Sequence, residues 1–319
     1  MKERNVSIDI LKCLAAILIT NSHMGLLYGK YSVLATGGAI GDVLFFFCSG
    51  FTLFLGRMGR FDNWYKRRIN RIYPTVFACA ILTSFTLCNE DDMKSIILYG
   101  GGWFVSCIMI YYIVLYFVRR YFIDHLKGLS VGILLACAAW MFLVDLPSDF
   151  NMYGNTFFKW FHYFLFMLMG AAMGMQQKSY NYVFGTDLAK LLLSVFAFYG
   201  LCFFRDMPEY NKLHFFTIIP LLSTTFYFYK LCNSRLMIRW YNNRYVGGLI
   251  RFVGGLCLEI YLIQSYLFTD KMNGIFPLNI PVMFVIIVLA AYILRCFSRI
   301  FAQTFKSEDY DWRAVFKPF

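Results

Sequence analysis

Ten apolar stretches, each close to twenty residues long, follow one another along this chain of 319 residues. A helix of about 20 predominantly apolar residues is long enough to cross the hydrocarbon core of a bilayer. Hydrophobic residues make up 60% of the chain and charged residues only 15%, whereas about 25% of the residues in an ordinary soluble domain are charged. A soluble fold would expose much of this apolar surface to water. The sequence therefore predicts an all-α fold, a multi-pass transmembrane bundle of about ten helices with no soluble domain.

No connection between the apolar stretches is long enough to fold by itself, so residues 1–319 are predicted to form a single membrane domain. Residues 301–319 are expected to form a cytoplasmic tail. The weakest stretch is the seventh, because Asp187 and Lys190 shorten it. The predicted spans are approximately residues 8–28, 38–56, 72–88, 97–118, 129–146, 157–175, 188–204, 213–230, 252–269 and 280–297.

Lysine and arginine are distributed unevenly over the connections. One alternating set of connections, which includes both termini, holds 22 of these residues, and the other set holds 6. Because basic connections remain in the cytoplasm, this asymmetry places both termini there. The net charge of +12 would suggest nucleic acid as the partner of a soluble protein. Here the charges flank apolar stretches, so we expect them to set topology and contact membrane lipids, not nucleic acid.

The ten cysteines contain no CxxC pair, and most of them lie inside the apolar stretches. Cysteine in such surroundings is typical of a small buried hydrophobic residue. The sequence therefore predicts no metal site.

The first predicted span carries three ionisable residues, Asp9, Lys12 and His23. Ionisable groups inside a span are costly and are candidates for function. Eleven positions separate Lys12 from His23, and a helix would project both side chains from one face, about 16 Å apart along its axis. Two interpretations remain open from the residues alone. The face serves a substrate, or Lys12 extends to the headgroups while His23 meets the outer interface.

A basic segment precedes the third predicted span. A helix would gather Arg67, Arg68 and Arg71 on one side, because they are three and four residues apart. Guanidinium groups bind phosphate oxygens bidentately. The alternative is a positively charged anchor that only fixes topology.

Other polar residues in the apolar stretches are weaker candidates. The Ser49-Gly50 step lies among phenylalanines, where a second helix or a ligand could approach closely. Glu259 lies about halfway along the ninth span, where a carboxylate must be protonated, paired with a cation or exposed to a cavity.

Together these segments resemble a known family, the integral membrane acyltransferase family 3. In its first helix that family has a basic residue and a histidine with ten residues between them, as Lys12 and His23 have here. Its Phe-Phe and Ser-Gly-Phe pattern, its arginine-rich segment ending in proline, its Trp-Phe step and its late Tyr-Leu element occur here in the same order. The matching residues include Ser49, Gly50, Phe51, Arg67, Arg68, Arg71, Pro74, Trp103, Phe104, Tyr261 and Leu262. The chief departure is Gln264, where many members have histidine.

The resemblance implies a bacterial plasma-membrane O-acyltransferase. Such an enzyme moves an acyl group, chiefly acetyl, from cytoplasmic acyl-CoA to a hydroxyl of a surface glycan or lipid-linked sugar. Lys12 and the three arginines would bind the CoA. His23 would be the catalytic base, buried and therefore favoured in its neutral form, and Glu259 is the second catalytic candidate. The remaining candidates would contact the acceptor and are Ser49, Trp103, Tyr261 and Gln264.

Two other classes of protein fit the same composition. A transporter or flippase for a lipid-linked glycan would also need many helices and buried charges. Such proteins often contain internal repeats, and none is evident in this sequence. A non-catalytic membrane subunit of a polysaccharide assembly system is the third possibility, in which His23 and the arginines would be dispensable for acyl transfer.

Overall fold

The computed structural model describes residues 5–56, 58–87, 93–100, 102–147, 150–154, 156–176, 180–207 and 209–318. All regular elements in these ranges are helices, and none of the described residues forms a strand, which confirms the all-α prediction. The α-helices are α1 (Val6–His23), α2 (Gly25–Tyr28), α3 (Gly38–Leu55), α4 (Phe61–Leu87), α5 (Met93–Tyr99), α6 (Trp103–Tyr121), α7 (Leu126–Leu143), α8 (Phe158–Gln176), α9 (Thr186–Cys202), α10 (Ile218–Cys232), α11 (Arg235–Asn242), α12 (Arg244–Gly255), α13 (Cys257–Ile263), α14 (Asn279–Thr304) and α15 (Trp312–Val315). Short 3₁₀ segments connect several of them.

Seven helical segments in the described ranges are long and apolar enough to cross a bilayer. An eighth is added if α12 and the segment Cys257–Tyr266, which meet at a bend of 58°, count as one broken span. The predicted spans 72–88 and 157–175 are helical as well, within α4 and α8. They are not among the helices that meet this test of length and hydropathy. The multi-pass architecture is therefore confirmed, and the count is seven or eight instead of ten by this measure.

Helix α4 begins much earlier than its apolar stretch suggests. It starts at Phe61 and continues through Pro74, so the arginine-rich segment is its first part and not a separate connection. Trp64 explains this extension, because its side chain is fully buried and its Nε1 donates a hydrogen bond to the Tyr112 carbonyl on α6 over 3.4 Å. The polar beginning of α4 is thereby fixed against α6.

The chain packs as two compact units built from discontinuous segments. The first unit comprises Met1–Ala15, Ala39–Arg57 and Phe117–Gly248, and the second comprises Ala16–Gly38, Met58–Tyr116 and Leu249–Phe319.

In the first unit, α3 and α8 approach so closely that a Cβ at Gly50 would lie 1.9 Å from the Met167 carbonyl oxygen. A Cβ at Gly170 would lie 2.0 Å from the Phe47 carbonyl oxygen. Glycine at these two positions therefore permits helix packing.

A buried ion pair stabilises the weakest predicted span, which is also in the first unit. The ammonium group of Lys230 on α10 lies 2.8 Å from the Asp187 carboxylate at the start of α9. Asp187 is only 3% exposed, and its carboxylate also accepts a hydrogen bond from the Val183 backbone amide. The charge that shortens the apolar stretch is thus compensated by a partner on the next helix.

In the second unit, α14 contacts the neighbouring helices along its length. Its Ser298 hydroxyl lies 3.0 Å from that of Thr75 on α4. Near its beginning, the Asn279 side chain donates a hydrogen bond to the Leu27 carbonyl on α2 over 2.8 Å. Near its end, Arg299 donates to the Val315 carbonyl over 3.0 Å. The tail residues around α15 therefore fold back along α14, and Val315 is fully buried.

Candidate functional site

The last residue of α1, His23, is the centre of the candidate site. Its Nδ1 lies 2.8 Å from the carbonyl oxygen of Ile19, one turn earlier in the helix. A carbonyl oxygen can only accept a hydrogen bond, so Nδ1 carries the proton of the neutral ring. The second nitrogen, Nε2, then has the free lone pair that a general base requires.

The expectation that His23 is buried is wrong, because its side chain is exposed in the structure. This exposure leaves the ring accessible to a reactant. The Ile19 carbonyl selects the tautomer of the ring, with the proton on Nδ1 and the lone pair on Nε2.

The Gln264 side chain, from a distant part of the sequence, contacts the His23 ring. Its amide nitrogen lies 3.5 Å from His23 Nδ1, and the side chain is only 2% exposed. Its amide oxygen is buried without a hydrogen-bond partner among the described residues. Because the oxygen and nitrogen of a glutamine amide are nearly isosteric, turning the amide over brings an acceptor toward the Nδ1 proton. Gln264 can therefore hold the ring in place although it cannot exchange protons as a histidine would.

Tyr261 lies one turn before Gln264 and contacts the beginning of α6. Its hydroxyl oxygen accepts a hydrogen bond from the Phe104 backbone amide over 3.4 Å, and the two ring centroids are 5.3 Å apart. A Cβ at Gly102 would lie 2.4 Å from the same hydroxyl oxygen, and the φ of Gly102 is +155°. Glycine is required there so that Tyr261 can approach the backbone.

Trp103 is the first residue of α6, and its ring packs edge-on against Phe104 at 5.9 Å between centroids. It is half-buried. The structure therefore brings Trp103, Tyr261, Gln264 and His23 into one part of the second unit through the contacts of Phe104 and of the Tyr261–Gln264 segment.

The three predicted arginines lie on the first part of α4, as the helical spacing indicates. Arg67 and Arg71 are exposed and Arg68 is half-buried. The guanidinium of Arg68 stacks over the Trp64 ring at 4.3 Å from the centroid. Its Nε is buried and has no hydrogen-bond partner among the residues that the structure describes. Such a group is suited to an anionic ligand, because the stacking fixes the guanidinium plane while leaving donors available.

Helix α4, which carries the three arginines, also contacts the Tyr261–Gln264 segment. The Cys79 thiol on α4 lies 3.9 Å from the carbonyl oxygen of Leu262, which is between Tyr261 and Gln264 in the sequence. Arg71 precedes Cys79 by about 12 Å along the helix axis at the usual rise per residue. The basic cluster is thus a few helical turns away from the level of the Tyr261–Gln264 segment.

Glu259 is paired with a cation, one of the alternatives that its position in the span left open. Arg295 on α14 donates from Nε to one carboxylate oxygen over 3.0 Å and from Nη2 to the other over 2.9 Å. Arg295 lies 36 residues after Glu259 in the sequence, so its part in this pair is not evident from the sequence. A carboxylate in mid-span signals that a cation is needed, but it does not identify which one.

Lys12 and Ser49 belong to the first unit. Both side chains are half-buried, and the close approach at the neighbouring Gly50 is explained by α8. Their proposed contacts to CoA and to the acceptor remain predictions. Among the described residues, no group of three or more His, Cys, Asp or Glu side chains is arranged to hold a metal ion.

Comparison with known protein families decides the identity of the fold. The profile of acyltransferase family 3, described as an acyltransferase domain, matches residues 5–296. The chain belongs to this family. No curated protein and no solved structure matches it.

The protein is therefore a membrane acyltransferase. The family match covers His23, the arginines of α4, the Trp103-Phe104 step and the Tyr261–Gln264 segment. The ion pair between Arg295 and Glu259 also lies within the residues that the family profile matches.

Proposed function

We propose that this acyltransferase moves an acetyl group from cytoplasmic acetyl-CoA to a hydroxyl of a surface glycan or lipid-linked sugar in the bacterial plasma membrane. The observation that carries the proposal is the contact of His23 Nδ1 with the Ile19 carbonyl. It leaves Nε2 on an exposed ring as the atom that accepts the proton of the acceptor hydroxyl.

In the proposed reaction, His23 Nε2 takes the hydroxyl proton as the hydroxyl oxygen attacks the thioester carbonyl carbon. The C–S bond then breaks, the thiolate takes up a proton, and the products are an O-acetyl ester and free CoA. General-base assistance of this kind contributes about 10²–10⁴-fold to a rate. An acyl-histidine intermediate is the alternative route, in which Nε2 itself attacks the thioester.

The phosphates of CoA are assigned to Arg67, Arg68 and Arg71. The buried Nε of Arg68 without a partner in the described part of the chain supports this assignment, as does the exposure of the two neighbouring guanidinium groups. The arginines precede Cys79 on α4, the residue that contacts the Tyr261–Gln264 segment. An extended pantetheine arm running along this part of α4 would carry the thioester toward His23. Lys12, Ser49 and Trp103 are further proposed contacts to the two substrates.

One feature favours the transporter alternative, namely the broken span formed by α12 and α13. Broken helices line the substrate sites of many transporters. The family match points to acyl transfer instead, and a test must separate the two activities.

The test measures acetyl-CoA binding to the purified protein by calorimetry and then transfer of radiolabelled acetyl to lipid-linked glycans. We expect saturable binding that is lost in Arg68→Ala and Arg71→Ala but kept in Arg235→Ala, an exposed arginine on α11. We also expect transfer to the glycan that is lost in His23→Ala. Equal binding by all three arginine variants would contradict the CoA site. Glycan movement across vesicles without any acetylation would favour the transporter.

A further inference from the structure

The helix of the ninth predicted span is interrupted by a bend. Helix α12 ends at Gly255, and α13 begins at Cys257 after a bend of 58°. Backbone carbonyls freed by such a break need new hydrogen-bond donors, because lipid supplies none. The Cys257 thiol donates a hydrogen bond to the Gly254 carbonyl over 3.2 Å.

Arg295 donates hydrogen bonds to both sides of the bend, to the Gly255 carbonyl and to the Glu259 carboxylate. Its Nη2 donates to the Gly255 carbonyl, the last residue of α12. Its Nε and Nη2 also donate to the two carboxylate oxygens of Glu259 on α13. The Arg295 and Glu259 side chains are only 14% and 7% exposed. A single guanidinium on α14 therefore holds both sides of the bend.

The glycine at the bend is part of the same arrangement. A Cβ at Gly255 would lie 3.4 Å from Arg295 Nη1, so the guanidinium packs against this glycine at van der Waals distance. Lysine at position 295 could neutralise Glu259, but its single nitrogen could not reproduce the planar, three-point contact. The geometry requires arginine specifically and not merely a positive charge.

The segment beyond the bend carries the residues that contact the active-site groups. Tyr261 reaches the Phe104 amide, and Gln264 reaches His23. Gln264 lies about 12 Å from the pivot at Leu256, given the rise of a helix. At that distance a change of about 5° in the bend displaces Gln264 by about 1 Å, and a misplacement of this size can reduce catalysis by about 10²-fold.

We propose that Arg295 is a positioning residue for acyl transfer, which fixes the bend through Gly255 and Glu259 and thereby holds Gln264 against His23. The proposal rests on the proposed role of His23 in the reaction. It assigns Glu259 to the support of Arg295 instead of to proton transfer, because both of its carboxylate oxygens are occupied by the guanidinium.

The test compares the single variant Arg295→Met with the double variant Glu259→Met/Arg295→Met. The single variant leaves a buried carboxylate without its partner and is expected to be unstable. In the double variant both charges are gone, and an apolar replacement of a buried ion pair is commonly neutral for stability. If the pair served stability alone, the double variant would regain wild-type thermal stability and wild-type turnover together. We expect it to regain most of the stability lost in the single variant, although the Gly255 carbonyl still lacks its donor, to lose about 10²-fold in kcat and to keep its KM for acetyl-CoA.

A second measurement reports the geometry without requiring turnover. His23→Cys and Gln264→Cys are combined in a protein whose Cys257 is replaced by Ser and whose other cysteines are replaced by Ala. A short bifunctional thiol reagent should link the two positions efficiently, and the double variant Glu259→Met/Arg295→Met should reduce the yield. This readout remains valid if the protein transfers a different acyl group or none, so the failure of the proposed function and the failure of this proposal are distinguishable.

Wild-type cross-linking and wild-type kcat in the double variant would overturn the proposal. If that variant does not fold, Arg295→Lys is tested in its place. This substitution keeps the positive charge beside Glu259 but is expected to lose the contact with the Gly255 carbonyl. We expect Arg295→Lys to fold, to cross-link less and to turn over more slowly. An Arg295→Lys variant with unchanged cross-linking and kcat would equally overturn it.

Discussion

The Nδ1 atom of His23 lies 2.8 Å from the carbonyl oxygen of Ile19, four residues earlier on the same helix. This contact defines which ring nitrogen carries the proton, and so the direction from which a reactant must approach. In the proposed reaction Nε2 accepts the proton of the acceptor hydroxyl, while the Gln264 amide nitrogen lies 3.5 Å from Nδ1. Acceptor and glutamine therefore do not compete for the same atom.

His23→Ala is expected to reduce the proposed acetyl transfer by about 10²–10⁴-fold, because the variant lacks the proposed general base. The variant should still reach the membrane, since an exposed side chain contributes little to packing. His125→Ala is the matched control, as His125 is also exposed and lies in the 3₁₀ segment Ile123–His125. Radiolabel transfer per mole of membrane-inserted protein is the measurement. Normal turnover of His23→Ala would exclude the residue from the chemistry.

Gln264→Leu is expected to lower kcat/KM by roughly tenfold, which corresponds to the loss of one hydrogen bond to the His23 ring, the proposed general base. Leucine keeps a comparable volume at this buried position, so protein stability should change little. Gln264→His should retain more activity than Gln264→Leu, because an imidazole can still bond to His23. Steady-state kinetics on the three proteins provides the comparison. Equal kcat/KM for all of them would show that the 3.5 Å contact has no catalytic role.

Arg68→Lys is expected to weaken acetyl-CoA binding by about tenfold, although the charge is unchanged. The flat guanidinium stacks over Trp64 at 4.3 Å, and lysine forfeits both that stacking and the bidentate contact with phosphate. Arg67→Lys is the control, because Arg67 is exposed and a point charge suffices at an exposed phosphate contact. Calorimetric titration measures both. The prediction fails if the two substitutions weaken binding equally.

Gly170→Ala is expected to destabilise the first unit by about 1–3 kcal/mol or more. Its Cβ would overlap the Phe47 carbonyl oxygen at 2.0 Å, and a backbone atom cannot move aside as a side chain would. Gly132→Ala on α7 is the matched control, since no heavy atom lies within 4 Å of its added Cβ. Alanine there should be neutral or stabilise the helix by about 0.5–1 kcal/mol. Thermal unfolding in detergent distinguishes the two variants, and equal midpoints would contradict the close packing of α3 and α8.

The placement of both termini in the cytoplasm is tested by cysteine labelling in a cysteine-free background. Val33 is 87% exposed in the connection after α2, and Ser307 is exposed just beyond α14. A membrane-impermeant maleimide should label Val33→Cys in intact cells, whereas Ser307→Cys should be labelled only after the cells are permeabilised. The reverse pattern would invert the predicted topology.

The sequence predicts the helices well because apolar length is a property of each segment by itself. Each of the ten predicted spans overlaps one or more helices in the described part of the chain, although 97–118 and 252–269 are divided between two helices and the helices that meet the criterion for a span number seven or eight. The start of α4 at Phe61 was not predicted, because hydropathy detects apolar residues only and the reason for the extension is the burial of Trp64 against α6. Such a contact joins residues 48 positions apart and leaves no local pattern.

Partnerships between charged residues were less predictable than the charges themselves. The position of Glu259 indicates that it needs a partner, but Arg295 lies 36 residues later and looks like one of several basic residues that fix topology. Likewise, Asp187 weakens its apolar stretch, and only the structure shows that Lys230 compensates it. The spacing of Arg67, Arg68 and Arg71 was informative because a single helix determines their relation.

The folding back of the tail along α14 has a practical consequence for handling the protein. Arg299 and Tyr292 donate to the carbonyls of Val315 and Phe316, so shortening the chain after Thr304 would deprive two side chains of their acceptors and uncover the flank that Val315 occupies. A protein truncated at this point would expose apolar surface that Val315 covers in the full chain. Aggregation of such a truncated protein would then reflect the cut and not the intrinsic behaviour of the enzyme.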